Sequence, residues 1–368
     1  MKHLSMLLLL AANLLAIHGF GQDSNMLQIS AAGNDKTCSD GMCCCAGNSQ
    51  APLGVMTDHI HNKGTWMLTY TYENTMLQGN NIGTAKASDD EVYKNYMMTP
   101  GTMSMQMHMV MAMYGVTDRL TVMAMGGYMV NNMTMNMSSA GMTMPGMIMP
   151  LGSMSMQSTS SGITDTKIYG LYNFSNNTDQ RIIGSLAVSL PTGSINATGT
   201  TMLGDNQRLA YDMQLGTGSY SIDPDVTYAR KYGLFYWGAN AGADIKLNYN
   251  SLGYKDGNIY HATAWAGYRF LPFLSATFRA EDVHTNTISG YDPVINNAIY
   301  QENDPTTRTS NYGGECINTY IGLNFYLMKP VLDHFRIMAE YGVPVYQNLN
   351  GTQMALKSNL LAGLQYSF

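Results

Sequence analysis

The sequence has few charged residues. Its 19 Lys and Arg and 25 Asp and Glu amount to 12% of 368 residues, whereas a soluble globular protein usually carries about 25%. After the N-terminal region no stretch reaches the roughly 18 uninterrupted apolar residues of a transmembrane helix, which argues against a helical membrane protein. No basic cluster is present, which excludes nucleic acid as a partner. No nucleophile elbow, zincin motif or phosphate-cradling loop occurs, so we expect a protein that is not an enzyme.

The N-terminus has the pattern of a secretory signal peptide. A basic start precedes the apolar run 6–17, and Gly19 and Gly21 take the positions of small residues at a cleavage site. We therefore expect residues 1–21 to be a signal peptide and the mature chain to be exported. The first cysteine lies well inside the mature chain, so we expect no lipid anchor.

From residue 65 to residue 368 the sequence alternates between apolar and polar side chains, as β-strands with two different faces do. Trp66, Leu68 and Tyr70, for example, alternate with polar residues. Twelve segments show the pattern, and the connections between them are mostly short and long in turn. The segments lie near 65–75, 102–114, 119–130, 162–174, 180–190, 218–230, 233–247, 258–270, 273–283, 316–328, 332–344 and 355–368.

An even number of strands with short turns at one end and long loops at the other is typical of outer-membrane barrels. The predicted fold class is thus all-β, a transmembrane antiparallel up-and-down β-barrel of about 12 strands in the cell outer membrane. A soluble lipocalin-like barrel or β-sandwich is the alternative. The last strand ends in the aromatic Phe368, as outer-membrane barrels commonly do. We therefore expect outer-membrane lipid and the outer-membrane assembly machinery as partners.

Five segments resemble those of a bacterial outer-membrane barrel family described only as "transporter", and this family is similar to a broader group named for the meta-pathway of phenol degradation. The resemblance implies a barrel and leaves the substrate open. It also implies an association with copper, and hence periplasmic copper-handling proteins as partners. The segments are APLGVMTDHIHNKGTWMLTY (51–70), SGITDTKIYGLYNF (161–174), VSLPTGS (188–194), QLGTGSYSIDPDVTY (214–228) and EYGVPVYQNLNG (340–351).

Methionine is concentrated in one part of the chain, since twenty of the 32 methionines lie between Met97 and Met156. In the second and third strands the lipid-facing positions are ordinary apolar residues, so the methionines between them should point into the barrel. Thioethers are soft ligands that suit Cu(I) and Ag(I). The alternative is that methionine fills space or adapts to apolar solutes. The expected metal-contacting methionines are Met109, Met111, Met113, Met123, Met125 and Met129 in the strands, and Met133, Met135, Met137, Met142, Met144, Met147 and Met149 in a Met-rich outer loop, 131–161.

Segment 22–64 is predicted to be flexible, and to be either periplasmic or a plug. It holds a second group of soft or borderline ligands, with Cu(I) again the candidate ion. For the cysteines, disulfide pairing in an oxidising compartment is an equal alternative. The histidines follow Asp58 and are equally compatible with an exposed lead-in to the first strand. The candidate ligands are Cys38, Cys43, Cys44, Cys45, His59 and His61.

Further inward positions are charged and predict a lumen of mixed charge, in which salt-bridged wall structure is the default interpretation. These residues are Asp165, Lys167, Asp223, Asp225, Asp244, Lys246, Arg269, Arg279, Glu281, Arg336 and Glu340. The leading functional hypothesis is a barrel that binds or passes soft metal ions. The alternatives are a channel for small hydrophobic or aromatic compounds and a structural surface barrel.

Overall fold

The computed structural model describes residues 51–138, 154–175, 177, 179–296, 303–327 and 334–368. The predicted signal peptide, all four N-terminal cysteines and residues 139–153 of the predicted outer loop lie outside these ranges. The strands are β1 Trp66–Gly83, β2 Ala85–Ala87, β3 Met98–Gly115, β4 Leu120–Met137, β5 Met154–Ile163, β6 Thr166–Asn173, β7 Gln180–Leu190, β8 Thr198–Thr201, β9 Gly204–Arg208, β10 Ser221–Tyr232, β11 Phe235–Lys246, β12 Tyr254–Lys255, β13 Ile259–Leu271, β14 Leu274–Thr285, β15 Ser289–Gly290, β16 Gly314–Tyr326 and β17 Phe335–Ser367.

The helices in the described ranges are short, and none of them is long and apolar enough to cross a membrane. They are α1 Asp89–Val92 and three 3₁₀ turns at Tyr211–Met213, Pro305–Thr307 and Thr309–Asn311. Ser88 caps α1, because its side chain accepts the backbone N–H of Glu91.

The long strands form one closed antiparallel ring in the order β17, β16, β14, β13, β11, β10, β7, β6, β4, β3, β1, with β17 pairing back to β1. The 33-residue β17 doubles back. Its Leu349 pairs with both Gly314 of β16 and Gly83 of β1, and Gly351 takes the positive φ of 62° that the reversal requires. The eleven strands of the ring therefore cross the wall twelve times, and the predicted closed barrel is confirmed.

The wall has an apolar outer face. In β1 the side chains of Trp66, Leu68 and Tyr70 are exposed, while those of Met67 and Thr69 are buried. The same alternation leaves Ile321 69% exposed on the outside of β16. A water-soluble sheet would hide this face, so the exposed apolar band is the surface that contacts lipid.

Paired aromatic rings mark the end of the barrel that carries the short turns. Trp66 lies 4.5 Å from Tyr114, and Phe335 lies 4.5 Å from Tyr366, measured between ring centroids. Aromatic side chains at this height form the interfacial girdle of outer-membrane barrels. The long connections, among them β8–β9 and the 3₁₀ turns, lie at the opposite end.

Both boundaries of the predicted outer loop differ from the observed ones. β4 continues to Met137 and β5 begins at Met154, so Met133, Met135 and Met137 lie in a paired strand and not in a loop. Above the membrane both faces of a strand meet polar surroundings, and the apolar alternation that would reveal the strand is lost there.

Candidate functional site

Residues 51–64, here called the lumenal segment, run inside the barrel. At one end Gly64 donates its backbone N–H to the carbonyl of Gly115 at 2.8 Å, and Lys63 donates its N–H to Asp118 Oδ1 at 3.0 Å. Further along, Leu53 and His61 are buried. The segment contains no strand, so side-chain contacts and single hydrogen bonds hold it, and no β-ladder does.

Two wall residues bind the backbone of the other end of the lumenal segment. The Arg336 guanidinium donates to the carbonyl of Ala51 at 2.5 Å. The Gly54 N–H is donated to Glu340 Oε2 at 2.6 Å. Because Arg336 and Glu340 are buried, these charge-assisted bonds are shielded from water and screening.

Arg279 connects the lumenal segment to three wall side chains. Its guanidinium lies 3.4 Å from Glu340 Oε1 and 3.2 Å from Glu281 Oε1, and it stacks 3.6 Å from the ring centroid of Tyr320. A Cβ on Gly54 would overlap this guanidinium. The glycine is therefore needed for the close approach of the lumenal segment.

A cavity of about 340 Å³, here called the chamber, lies between the lumenal segment and the wall formed by β6, β10, β11, β13 and β14. Two lysines pair with two of its aspartates. Lys167 Nζ lies 2.6 Å from Asp223 Oδ2 and 3.0 Å from Asp244 Oδ2, and Lys246 Nζ lies 2.7 Å from Asp244 Oδ1. The apolar part of the lining comes from Val55, Met56, Tyr169, Ile259 and Val283.

Asp225 is the hub of a polar network in the chamber. It pairs across Gly242 with His261, and a Cβ at that glycine would approach Asp225 Oδ2 to 2.7 Å. The glycine thus lets His261 Nε2 reach Asp225 at 3.2 Å. Thr57 donates to Asp225 Oδ1 at 3.2 Å, and Asn240 donates to the same oxygen at 2.6 Å. The network joins three strands to the lumenal segment.

The inner face of β3 and β4, here called the methionine wall, is rich in methionine. The antiparallel register sets five methionines of β3 directly opposite methionines of β4. Directly opposed side chains have Cβ atoms about 4.5–5.5 Å apart, so neighbouring thioethers can contact one another. The pairs are Met98 with Met137, Met103 with Met133, Met107 with Met129, Met111 with Met125 and Met113 with Met123.

All of these methionines except Met107 and Met129 belong to two apolar clusters. The lower methionine cluster, near the short turns, packs against the lumenal segment; it contains Met67, Met111, Met113, Met123, Leu171 and Ile183, with Met56, Ile60, Met125 and Tyr169 against it. The upper methionine cluster, near the long loops, has ten methionines among its twelve members; it contains Met98, Met103, Met133, Met135, Leu209 and Met213, with Leu77, Met105, Met137, Met156, Met202 and Met354 against it.

Asp58, His59 and His61 are all buried in the lumenal segment. His59 Nδ1 lies 2.6 Å from Asp58 Oδ1, and the two imidazole centroids are 5.2 Å apart. Burial, followed by the charge of a protonated His59, lowers the pKa of His61 to about 3. His61 is therefore neutral at ordinary pH.

The structure places the predicted methionines on the inside of the barrel. Met109, Met111, Met113, Met123, Met133 and Met135 are buried, and Met125, Met129 and Met137 are partly buried. Met142, Met144, Met147, Met149, Cys38, Cys43, Cys44 and Cys45 lie outside the described residues. In the described ranges no group of three or more His, Cys, Asp and Glu residues has the arrangement of a metal site.

The predicted lumen residues divide into three groups. Lys167, Asp223, Asp225, Asp244 and Lys246 form the chamber network, and Arg279, Glu281, Arg336 and Glu340 form the attachment of the lumenal segment. The other two lie elsewhere. Asp165 accepts the N–H groups of Gly193 and Thr217 at 2.9 Å and braces two loops, and Arg269 stacks 5.3 Å from the ring centroid of Tyr326.

Sequence reasoning gave no role to Thr57, Tyr169, Asn240 and His261. Asn240 and His261 fall on the polar side of their strands, so the alternation does indicate that they face inward. Their meeting with Asp225 depends on the register of three strands, which the alternation alone does not determine. The place of Thr57 depends on the lumenal segment, which shows no periodicity.

No family model matches the sequence, and no curated protein matches it. The resemblance to the transporter and phenol-degradation barrels therefore stays a prediction. Among solved structures, the COG4313 outer membrane channel from Pseudomonas putida F1 is similar, with a TM-score of 0.56 and 13% identity over 85% of this chain and 98% of that chain.

Two other solved barrels show lower similarity. A FadL homologue from Pseudomonas aeruginosa has a TM-score of 0.39 and 9% identity over 83% of this chain and 90% of that chain. The KdgM porin has a TM-score of 0.37 and 10% identity over 82% of this chain and 99% of that chain. At these identities the likeness concerns the fold. The fold shared with the COG4313 channel, together with the lipid-facing wall, places the protein in the outer membrane.

Proposed function

We propose that the protein is a non-enzymatic outer-membrane channel for small compounds and that the lumenal segment is its gate. The observation that carries this proposal is the mode of attachment of residues 51–64. They lie inside a closed wall and cover a chamber of about 340 Å³, yet single hydrogen bonds and packing hold them in place. Movement of this segment opens the lumen without breaking any strand pairing of the barrel.

The chamber lining supports a class of substrate. Lys167 and Lys246 pair with Asp223 and Asp244, and Asp225 accepts hydrogen bonds from Thr57 and Asn240, so the described lining offers no free cationic side chain to an anionic solute. Tyr169, Ile259 and Val283 provide apolar contact beside the hydrogen-bonding side chains of Asn240 and His261. This combination suits small compounds with an apolar or aromatic body and one polar group. Phenols are representative probes of this class.

A reversible disulfide between the lumenal segment and the wall tests whether this segment is the gate. Thr57 Oγ1 of the lumenal segment lies 2.9 Å from Thr227 Oγ1 of β10, so the pair T57C/T227C, in a chain whose native cysteines are serine, brings two thiols together. Liposomes containing this variant are assayed for swelling in phenol and in a sugar of similar mass. We expect phenol entry in the reduced form, a loss of entry on oxidation, and recovery with dithiothreitol.

The single variant T227C is the matched control, and its phenol entry should not respond to oxidant. Equal entry through the oxidised and reduced double variant would refute the lumenal segment as the gate. No entry of any solute in any state would refute the channel itself and leave a structural surface barrel.

A second candidate function is the passage of soft monovalent cations along the methionine wall. Five directly opposed methionine pairs favour it, because a core that needed only apolar volume would use leucine, isoleucine and valine as readily. Ag(I) uptake into liposomes by the parent is compared with that of M107L/M129L and M111L/M125L. This candidate predicts reduced uptake in both variants, and unchanged uptake would exclude it.

A further inference from the structure

His59 is oriented in the way that metal-binding histidines usually are. Asp58 Oδ1 lies 2.6 Å from Nδ1 of the imidazole, and an ionised carboxylate can only accept a hydrogen bond, so Nδ1 carries the proton. The lone pair of the neutral ring then lies on Nε2. In most protein metal sites, the ring nitrogen that does not bind the metal donates to a carboxylate, a backbone carbonyl or water, which fixes the tautomer and the orientation of the ring.

Nε2 of His59 is buried and makes no hydrogen bond to any described residue. The whole residue is 6% exposed. Leaving such an atom without a partner costs about 1–3 kcal/mol, and buried polar atoms of this kind call for an explanation such as an ion. His61 lies beside it, with the ring centroids 5.2 Å apart and the planes inclined at 69°.

This part of the lumenal segment lies against the lower methionine cluster. Met56 and Ile60, on either side of His59 in sequence, pack against the lower methionine cluster. His61 donates its backbone N–H to Thr121 Oγ1 at 2.8 Å, and Met123 is the next inward residue of β4. Two imidazoles in a thioether environment match the low coordination number and the soft ligands of a d¹⁰ monovalent cation. Structural zinc sites instead use four ligands, typically Cys and His.

We propose that His59 and His61 bind one Cu(I) or Ag(I) ion between the lumenal segment and the lower methionine cluster, whose thioethers complete the coordination. Asp58, whose charge also acts on Arg181, offsets part of the positive charge of the ion. The inference deepens the second candidate function by naming a resting site for the ion. It depends on the lumenal position of residues 51–64 and does not require conduction.

The test is Ag(I) binding to the purified full chain in detergent and chloride-free buffer, measured by calorimetry. H59Q/H61Q should lose one bound ion per chain, or bind it at least about 10-fold more weakly. D58N keeps both ligands but loses the orienting carboxylate, so it should keep the stoichiometry and bind about 10- to 100-fold more weakly. H108Q is the matched control, because His108 bonds to Tyr70 on the outer face at 2.7 Å; its binding should equal that of the parent.

Unchanged binding by H59Q/H61Q would overturn the inference. If that variant does not fold, as judged by the heat-dependent gel mobility of barrels, X-ray absorption of the Cu(I)-loaded parent decides. Mixed nitrogen and sulfur ligands would support the site, whereas sulfur ligands alone would place the ion in the methionine clusters and exclude the histidines. Loss of Ag(I) transport with this binding intact would count against the passage hypothesis alone.

Discussion

Replacing Arg279 by methionine should release the lumenal segment. The guanidinium and the Glu340 carboxylate have side chains that are 3% and 2% exposed, and removal of one partner of such a buried pair costs about 3–5 kcal/mol. Glu340 would keep only the N–H of Gly54. Water can reach the Glu340 carboxylate if the lumenal segment moves away from it. We therefore expect the destabilisation to increase the population in which the lumenal segment is detached from the wall, here called the open population. A destabilisation of about 3 kcal/mol, at about 1.36 kcal/mol per factor of ten in the equilibrium, raises the open population roughly 100-fold.

The assay is maleimide labelling of V55C in a chain whose native cysteines are serine. Val55 is 8% exposed, so labelling requires opening, and its rate should rise with R279M. In R279M/E340Q both charges of the buried pair are absent, and removing both partners is close to neutral. Glu281 loses Arg279 in both variants, but its side chain is 21% exposed to water, so labelling in the double variant should return towards the parent rate. N62C reports an exposed position and should label rapidly in every background. Equal V55C rates in the parent and R279M would refute the reasoning, and so would a double variant as open as the single one.

Three further predictions concern the wall and the outer loops. Burial, and next the neighbouring Asp304, raises the pKa of Asp212 to about 7. The packing of the outer loops around Asp212 should therefore weaken as pH rises from about 4 to 7, because the buried carboxyl loses its proton. D212N should protect the outer loops from protease at pH 8 but not at pH 4. A Cβ on Gly267 would overlap the Tyr236 ring, while one on Gly170 meets no atom within 4 Å; G267A should cost about 1–3 kcal/mol in urea unfolding, and G170A should cost little. Ile321 is 69% exposed to lipid, so I321K should cost about 2–4 kcal/mol if this position lies near the membrane midplane, and no cost would contradict the lipid-facing assignment.

The wall was predictable because lipid and lumen impose a period of two on the sequence. Segment 180–190 corresponds to β7, and the inward methionines of β4 follow from the apolar residues between them. The predicted strands are too short wherever the difference between a lipid-facing and a lumen-facing side ends. β1 continues to Gly83 and β4 to Met137 through polar residues that alternate no longer, since water surrounds both faces there.

The site was less predictable because two of its determinants are not periodic. The first is register, which places Asp225, Gly242 and His261 in one row; a shift of two residues would preserve every apolar face and still separate them. The second is the path of residues 51–64. Their contacts are to Glu340, Arg279 and other residues distant in sequence, and nothing local to the segment encodes those partners.

The proposed channel for small compounds involves the chamber wall, the proposed cation passage involves the methionine wall, and the lumenal segment contacts both. Thr57 bonds to the Asp225 network of the chamber, whereas Met56 and Ile60 pack on the lower methionine cluster. A cation held by His59 and His61 would tie the segment to the methionine wall without touching the chamber network. Ag(I) should then reduce phenol entry in the reduced T57C/T227C channel, since the bound ion adds an attachment that must break before the segment moves. The same Ag(I) concentration should leave phenol entry unchanged when H59Q/H61Q is introduced into that channel. Inhibition that persists in the histidine variant would show that the ion blocks the lumen elsewhere.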